Sequence, residues 1–370
     1  MNTPMHMHAA LLTGHGGLEK LEYRTDVPAP APAPGEVLVR VGACGMNNTD
    51  INTRIGWYDP AVTTGTSVEA GTEGLEEAPN DAASWSRSTI SFPHIQGADV
   101  VGAVAATGPG VAASRVGERV IVDPWLCDSD NPDDRDRATY LGSERRGGFA
   151  QLVAVPSQNA LTIESPLSDA ELATFPCAYS TAENMLTRAR VAAGETVLVT
   201  GASGGVGTGL VQLAKLRGAT VIAVAGGDKL ALVRDLGADA TIARGKGELG
   251  EEVAKAAAGR AIDVVADVVG GGDFPTHLAI LRRGGRYVTA GAIAGPIVDL
   301  DLRTLYLKDL ELIGATLVLP GVFEALVAHI ASGAVKPVLA QSYPLADIRR
   351  AQADFLEKKH VGNLVLVPPA

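Results

Sequence analysis

The sequence predicts an α/β protein of two domains, one of them built on a doubly wound parallel sheet. Three observations carry this. The 370-residue chain is long enough for two domains, or for one interrupted by another. From about residue 160 to 318, short apolar strands alternate with amphipathic helices, the rhythm of a parallel sheet covered on both faces. Before about residue 155, strand patterns punctuated by Gly and Pro indicate an all-β unit with long loops.

In the first region, Val37 to Val41 alternates apolar and other residues, while Val100 to Ala106 and Arg119 to Val122 read as more fully buried strands. Val27 to Pro34 is a Pro-Ala connector and is expected to be extended. Asp59 to Ser91 lacks periodicity, and Asp123 to Gly148 is dense in Asp and Arg; both are expected as mobile surface first and substrate covers second. The middle offers strands at Thr196 to Thr200, Thr220 to Ala225, Ala240 to Ala243, Ile262 to Asp267, Arg286 to Ala290 and Leu310 to Leu319. Helices are expected at Gly205 to Leu216, Lys229 to Leu236 and Glu248 to Ala258. In the first of these, Val206, Leu210, Leu213 and Ala214 line one face. The tail adds a helix, Ala346 to Leu356, and a last strand, Leu364 to Val367.

Composition excludes several functions. A formal charge of -11 and the absence of a basic stripe argue against nucleic acid and anionic membranes. The three cysteines, Cys44, Cys127 and Cys177, lie far apart and form no disulfide framework, which fits a reducing cytosol. No basic region followed by an apolar core marks a signal peptide, and apolar runs are strand-length, so a soluble, cytoplasmic protein is expected. The histidines show no metal-ligand spacing.

The stretch from Thr196 to Gly207 reads as a buried strand, a glycine-rich turn and the start of a helix. Ala202, Gly204 and Gly207 take the three positions of the G-x-G-x-x-G fingerprint, with Ser203, Gly205 and Val206 between them. Small residues let the backbone turn sharply and approach a pyrophosphate, whose charge then rests on the helix N-terminus. A Rossmann dinucleotide-binding turn is therefore expected here, the alternative being a glycine-rich turn with no ligand. At the end of the next strand, an NAD site normally has Asp or Glu for the ribose 2′-hydroxyl. Here Ala225, Gly226 and Gly227 are followed by Asp228 and Lys229, so Lys229 favours NADP(H), with Asp228 weakening the attraction.

The chain resembles the medium-chain dehydrogenase/reductase superfamily, and within it the zinc-free quinone oxidoreductase-like branch. The likeness rests on Pro34-Gly-Glu-Val-Leu-Val-Arg-Val41, Gly45-Met-Asn-Asn-Thr-Asp50, Gly97-Ala-Asp-Val-Val-Gly102, Gly117-Glu-Arg-Val120, Gly147-Gly-Phe-Ala150 and the nucleotide-binding stretch. It implies a GroES-like β-barrel domain at 1–158 and 333–370, a Rossmann domain at 159–332, an active site in the cleft between them, and a homodimer paired through the strand near Leu310 to Leu319. Where zinc-dependent members carry a ligating Cys and a Gly-His-Glu histidine, this chain has Asn47 and Ala98. Only Cys177 survives of the expected ligands, too few for catalytic zinc, with a rearranged set of Asp99, Cys177 and Asp50 as the alternative.

Without a Lewis acid, oxidation of a simple alcohol is hard, whereas a conjugated carbonyl accepts hydride at carbon and needs only hydrogen-bond donors and a proton. NADPH-dependent reduction of a quinone or enone is therefore expected. Asn47 is read as an amide donor, Asp50 as an organiser of its loop, and Tyr58, matching a family tyrosine, as a phenolic donor or a half-buried aromatic. The resemblance further places Thr181 near the nicotinamide and the backbone of Gly291 and Ala292 at its carboxamide. Trp57, Trp85 and Trp125 line an aromatic pocket or anchor their loops. Two other readings stand beside this one: an alcohol or aldehyde reductase with a rearranged or lost metal site, and a non-catalytic NADPH-binding protein.

Overall fold

The computed structural model describes residues 5–75, 84, 89–127 and 137–370. Trp85 and the central parts of both long loops lie outside the described residues. The chain divides into two units: Met1–Val62, Ser67–Cys177 and Pro337–Ala370 in one, Thr63–Thr66 and Ala178–Lys336 in the other.

The first unit is built on a largely antiparallel sheet, in the order Leu339–Pro344, Asn363–Val367, Glu36–Gly45, Asp99–Thr107, Arg119–Val122 and Ala160–Thr162. Leu152–Pro156 also pairs with Glu36–Gly45, and a hairpin of His6–Leu12 with Leu21–Pro28 stands beside the sheet. Val37, Val39, Val100, Val104, Val120 and Phe149 are buried in its core. The region read as all-β also contains helices at Asn48–Ile55 and Val68–Glu73. Both carry local start signals. The Asp50 carboxylate accepts the Asn47 N–H at 2.8 Å, and Ser67 Oγ accepts the Ala70 N–H at 3.0 Å. Arg54 is fully buried; its guanidinium donates to the carbonyls of Gly16 (2.8 Å) and Gly71 (2.6 Å) and to Gln352 Oε1 (2.9 Å), pinning the second helix to this unit.

The second unit holds a six-stranded parallel sheet in the order Ala240–Ala243, Thr220–Ala225, Thr196–Val199, Ile262–Asp267, Leu281–Thr289 and Glu311–Gly314. This is the doubly wound 3-2-1-4-5-6 arrangement, whose order reverses beside Thr196–Val199. The expected strand Leu310 to Leu319 is shorter, Glu311–Gly314. Beyond it, side chains take the backbone bonds that a neighbouring strand would have made. Asn184 and Arg188 donate to the Leu317 carbonyl (3.3 and 2.8 Å), and the Leu319 N–H donates to Asn184 Oδ1 (3.1 Å). Those two side chains come from a helix missed in the sequence, Pro176–Arg188. Its signals were present: Pro at the first position, and Ala182, Met185, Leu186 and Ala189 buried at helical spacing.

Candidate active site

The glycine-rich turn of the second unit has the form the sequence predicts. Thr196–Val199 is wholly buried, and Gly204 caps the twelve-residue helix Gly205–Leu216. Gly201 adopts φ 56°, a conformation that disfavours a side chain. A Cβ on Gly207 would lie 2.2 Å from the Gly201 carbonyl oxygen, so only glycine lets the helix close onto the turn. Ala202 is buried and donates its N–H to the Val224 carbonyl at 3.0 Å, while Ser203, Gly204, Gly205 and Val206 remain partly or fully accessible. Accessible small residues at a helix N-terminus fit a pyrophosphate.

Lys229 follows this turn's neighbour strand and is half-buried. Parallel pairing sets Ala225 opposite Ala243, and the Arg244 N–H donates to the Ala225 carbonyl at 2.8 Å. Arg244 is therefore a second cation beside the Gly226-Gly227 turn, and it went unnoticed in the sequence because it belongs to the next strand. Burial lowers the Lys229 pKa foremost; Asp228 opposes that shift and Arg244 adds to it.

A buried carboxylate organises the loops at the same end of the sheet. Asp267, at the end of its strand, accepts hydrogen bonds from Thr200 Oγ1, Tyr287 Oη (2.5 Å) and the N–H groups of Val269 (2.8 Å) and Gly270 (3.1 Å). The loop at Val269–Gly271 in turn holds Gly291–Gly295: the Ala294 N–H donates to the Val269 carbonyl at 2.8 Å, and the Gly271 N–H to the Gly295 carbonyl at 3.2 Å. Gly291 and Ala292 thus sit on a backbone-supported loop, and Thr181 lies half-buried on the helix Pro176–Arg188.

The first unit brings together the residues expected to act on substrate. Register pairs Gly45 with Asp99, which carries Asn47 to the start of the strand Asp99–Thr107. Asn47 Nδ2 donates to Asp99 Oδ2 at 2.8 Å, and the Cys177 N–H donates to Asp99 Oδ1 at 2.6 Å. Asp50 accepts the Asn47 N–H on the other side. Burial pushes both carboxyls up to about 7; for Asp50 the nearby Asp99 charge adds to the effect. Tyr58 is half-buried and donates to Thr49 Oγ1 at 3.3 Å, and burial raises its pKa. Tyr140, overlooked in the sequence because it lies in a long irregular stretch, is hydrogen-bonded to the Cys177 side chain and stacks edge-on against Trp125 at 4.8 Å. Trp57 stands edge-on to Tyr58 at 5.6 Å.

Two of the positions that zinc-dependent members use for ligands carry other chemistry here. One ligand position is an amide already bonded to Asp99, and another is the methyl group of Ala98. Among the described residues no three His, Cys, Asp or Glu side chains cluster so as to hold a metal.

Comparison with known proteins places the fold. Residues 33–165 match the family described as alcohol dehydrogenase GroES-like domain, and residues 205–332 match the one described as zinc-binding dehydrogenase. A Sinorhizobium meliloti 1021 crystal structure, provisionally called an alcohol dehydrogenase, is 51% identical with a TM-score of 0.88, over 99% of this chain and 98% of that one. The quinone oxidoreductase of Rattus norvegicus is 27% identical over 98% of both chains. The crotonyl-CoA reductase of Streptomyces collinus is 29% identical, covering 98% of this chain and 86% of that protein. The first unit is thus GroES-like and the second a Rossmann domain.

Proposed function

Because the chain belongs to the medium-chain dehydrogenase/reductase superfamily, we propose that this oxidoreductase uses NADPH to reduce a conjugated carbonyl compound, a quinone or enone, without catalytic zinc. The observation that carries this reading is the Asn47–Asp99 hydrogen bond, which commits the first ligand position to a carboxylate instead of a metal. When bound, NADPH supplies a hydride to the substrate's electron-poor carbon. The turn at Ala202–Gly207 holds its pyrophosphate, Lys229 and Arg244 its 2′-phosphate, and Gly291 and Ala292 its carboxamide.

The residues around Asn47 serve the other end of the substrate. An amide nitrogen carries two hydrogens, so Asn47 can bond Asp99 and still offer one to the substrate oxygen as negative charge develops there. Tyr58, a phenol whose pKa burial raises further above its ordinary value, supplies an O–H beside it. A carboxyl near pH 7 in the Asp50–Asp99 pair can hold and release the proton that completes the reduction. The aromatic rings of Trp57 and Trp125 favour a flat substrate.

The same reading includes a homodimer. Glu311–Gly314 ends its sheet, and Leu302, Tyr306 and Leu307 on the helix before it and Leu312 on the strand itself are exposed. Among the described residues no helix is long and apolar enough to cross a membrane.

The deciding experiment follows NADPH oxidation with quinones, enones, enoyl thioesters and simple aldehydes, alongside metal analysis of protein purified without chelator. Turnover of a conjugated acceptor at less than a tenth of a zinc per chain is expected. The 51% likeness to a provisionally named alcohol dehydrogenase favours the second reading, alcohol or aldehyde chemistry. One tightly held zinc per chain with aldehyde turnover would establish that reading in place of ours.

A further inference from the structure

Part of the stretch read as a surface cover belongs to the dinucleotide unit. Thr63–Thr66 fall within that unit although the residues on either side of them do not. The Thr66 N–H donates to the Ile293 carbonyl at 3.0 Å. A Cβ on Gly65 would lie 2.4 Å from that same oxygen, 2.9 Å from Ala294 C and 3.1 Å from Gly295 N, so the approach is open to glycine alone. The other flank of Gly291–Gly295 is held by Val269 and Gly271, whose loop is fixed by Asp267. The loop is therefore clasped from both sides, once by its own sheet and once by residues from far upstream in the chain.

We propose that Gly65 and Thr66 form a positioning segment of the cofactor site, setting the Gly291–Gly295 backbone for the nicotinamide carboxamide. This rests on the reading that Gly291 and Ala292 bind that group. The contact is made by main-chain atoms, so it depends on a free N–H at position 66 and a missing side chain at position 65. Both requirements can be broken singly. Thr66→Pro removes the donor, Thr66→Ser keeps both the donor and the hydroxyl, and Gly65→Val fills the space against Ile293.

The test measures calorimetric affinity for two probes: NADPH, and 2′-phospho-ADP-ribose, which lacks the nicotinamide ring. Thr66→Pro and Gly65→Val are each expected to weaken NADPH about twofold to tenfold, the worth of one hydrogen bond, while 2′-phospho-ADP-ribose binds as to the unaltered protein. Thr66→Ser should leave both affinities unchanged. Undiminished NADPH binding in both disruptive variants would overturn the proposal. So would equal weakening of the two probes, which would mean general damage to the unit. The unaltered protein tests the underlying reading by itself: if it binds the two probes equally, the carboxamide is not held at Gly291 and Ala292, and the proposal falls with that reading.

Discussion

Asn47 and Asp99, 52 positions apart in sequence, are joined by a 2.8 Å hydrogen bond that leaves a buried carboxylate facing an amide. Neither Asp99 nor its neighbour Asp50 makes an ion pair among the described residues, and burial is the largest cause of the upward shift in both. A raised carboxyl keeps its proton in the folded chain after the unfolded chain has lost it. Stability from these groups is thus fully present below about pH 4 and is lost as pH rises toward about 7. The melting temperature should therefore carry a falling contribution between pH 4 and 7. In Asp99→Asn, which cannot titrate, that slope should be shallower than in the unaltered protein, the other titrating groups being common to both. Parallel pH profiles for the two proteins would show that Asp99 is ionised throughout this range.

Tyr58 touches Thr49 and lies in the electrostatic reach of Asp50 and Cys177. If its hydroxyl serves the substrate oxygen, Tyr58→Phe should cut kcat roughly tenfold to a hundredfold while the NADPH Kd stays within about twofold. Stopped-flow turnover and calorimetric titration separate the two. Unchanged kcat would make the ring a packing group.

Much of this site could be read from the chain because its signals are local. The strand, turn and helix at Thr196–Leu216 announce themselves through burial, small residues and helical spacing. Ala240–Ala243 and Ile262–Asp267 likewise match the expected spans, since short apolar runs between amphipathic helices leave little freedom. What escaped is non-local. Arg244 reaches its position only through the register of two parallel strands, and Asp267 through four hydrogen bonds from three separate segments. The run after Gly314 looked like strand because its apolar residues are indifferent to whether a strand or the side chains of Asn184 and Arg188 satisfy their backbone.

On the reading that Lys229 and Arg244 hold the 2′-phosphate, cofactor choice should depend on both. Each lies at the surface end of the sheet, where an ion pair with a phosphate is screened and is worth about a factor of ten in affinity. Lys229→Ala and Arg244→Ala should each weaken NADPH roughly tenfold and NADH by less than about twofold. The double variant should bring the two cofactors close to equal affinity. Losses that fall equally on NADH would move both residues away from the 2′-phosphate.

On the reading that the chain forms a homodimer, association should depend on the apolar residues around the terminal strand. Glu311–Gly314 has a partner on one side only within its sheet, so its outer edge can pair with another chain. Leu302, Tyr306 and Leu307 are 63%, 62% and 57% exposed on the short helix before it, and Leu312 is exposed on the strand itself. An exposed cluster of this kind is costly in water and is covered most simply by the same face of a second copy about a two-fold axis. Charges placed there would have to be desolvated on association. Leu302→Glu combined with Leu307→Glu should therefore weaken the dimer at least roughly a hundredfold, giving monomers at micromolar concentration in sedimentation velocity. The monomer should still bind NADPH, because neither side chain supports the glycine turn. A variant that sediments as the unaltered protein does would place any association elsewhere on the surface.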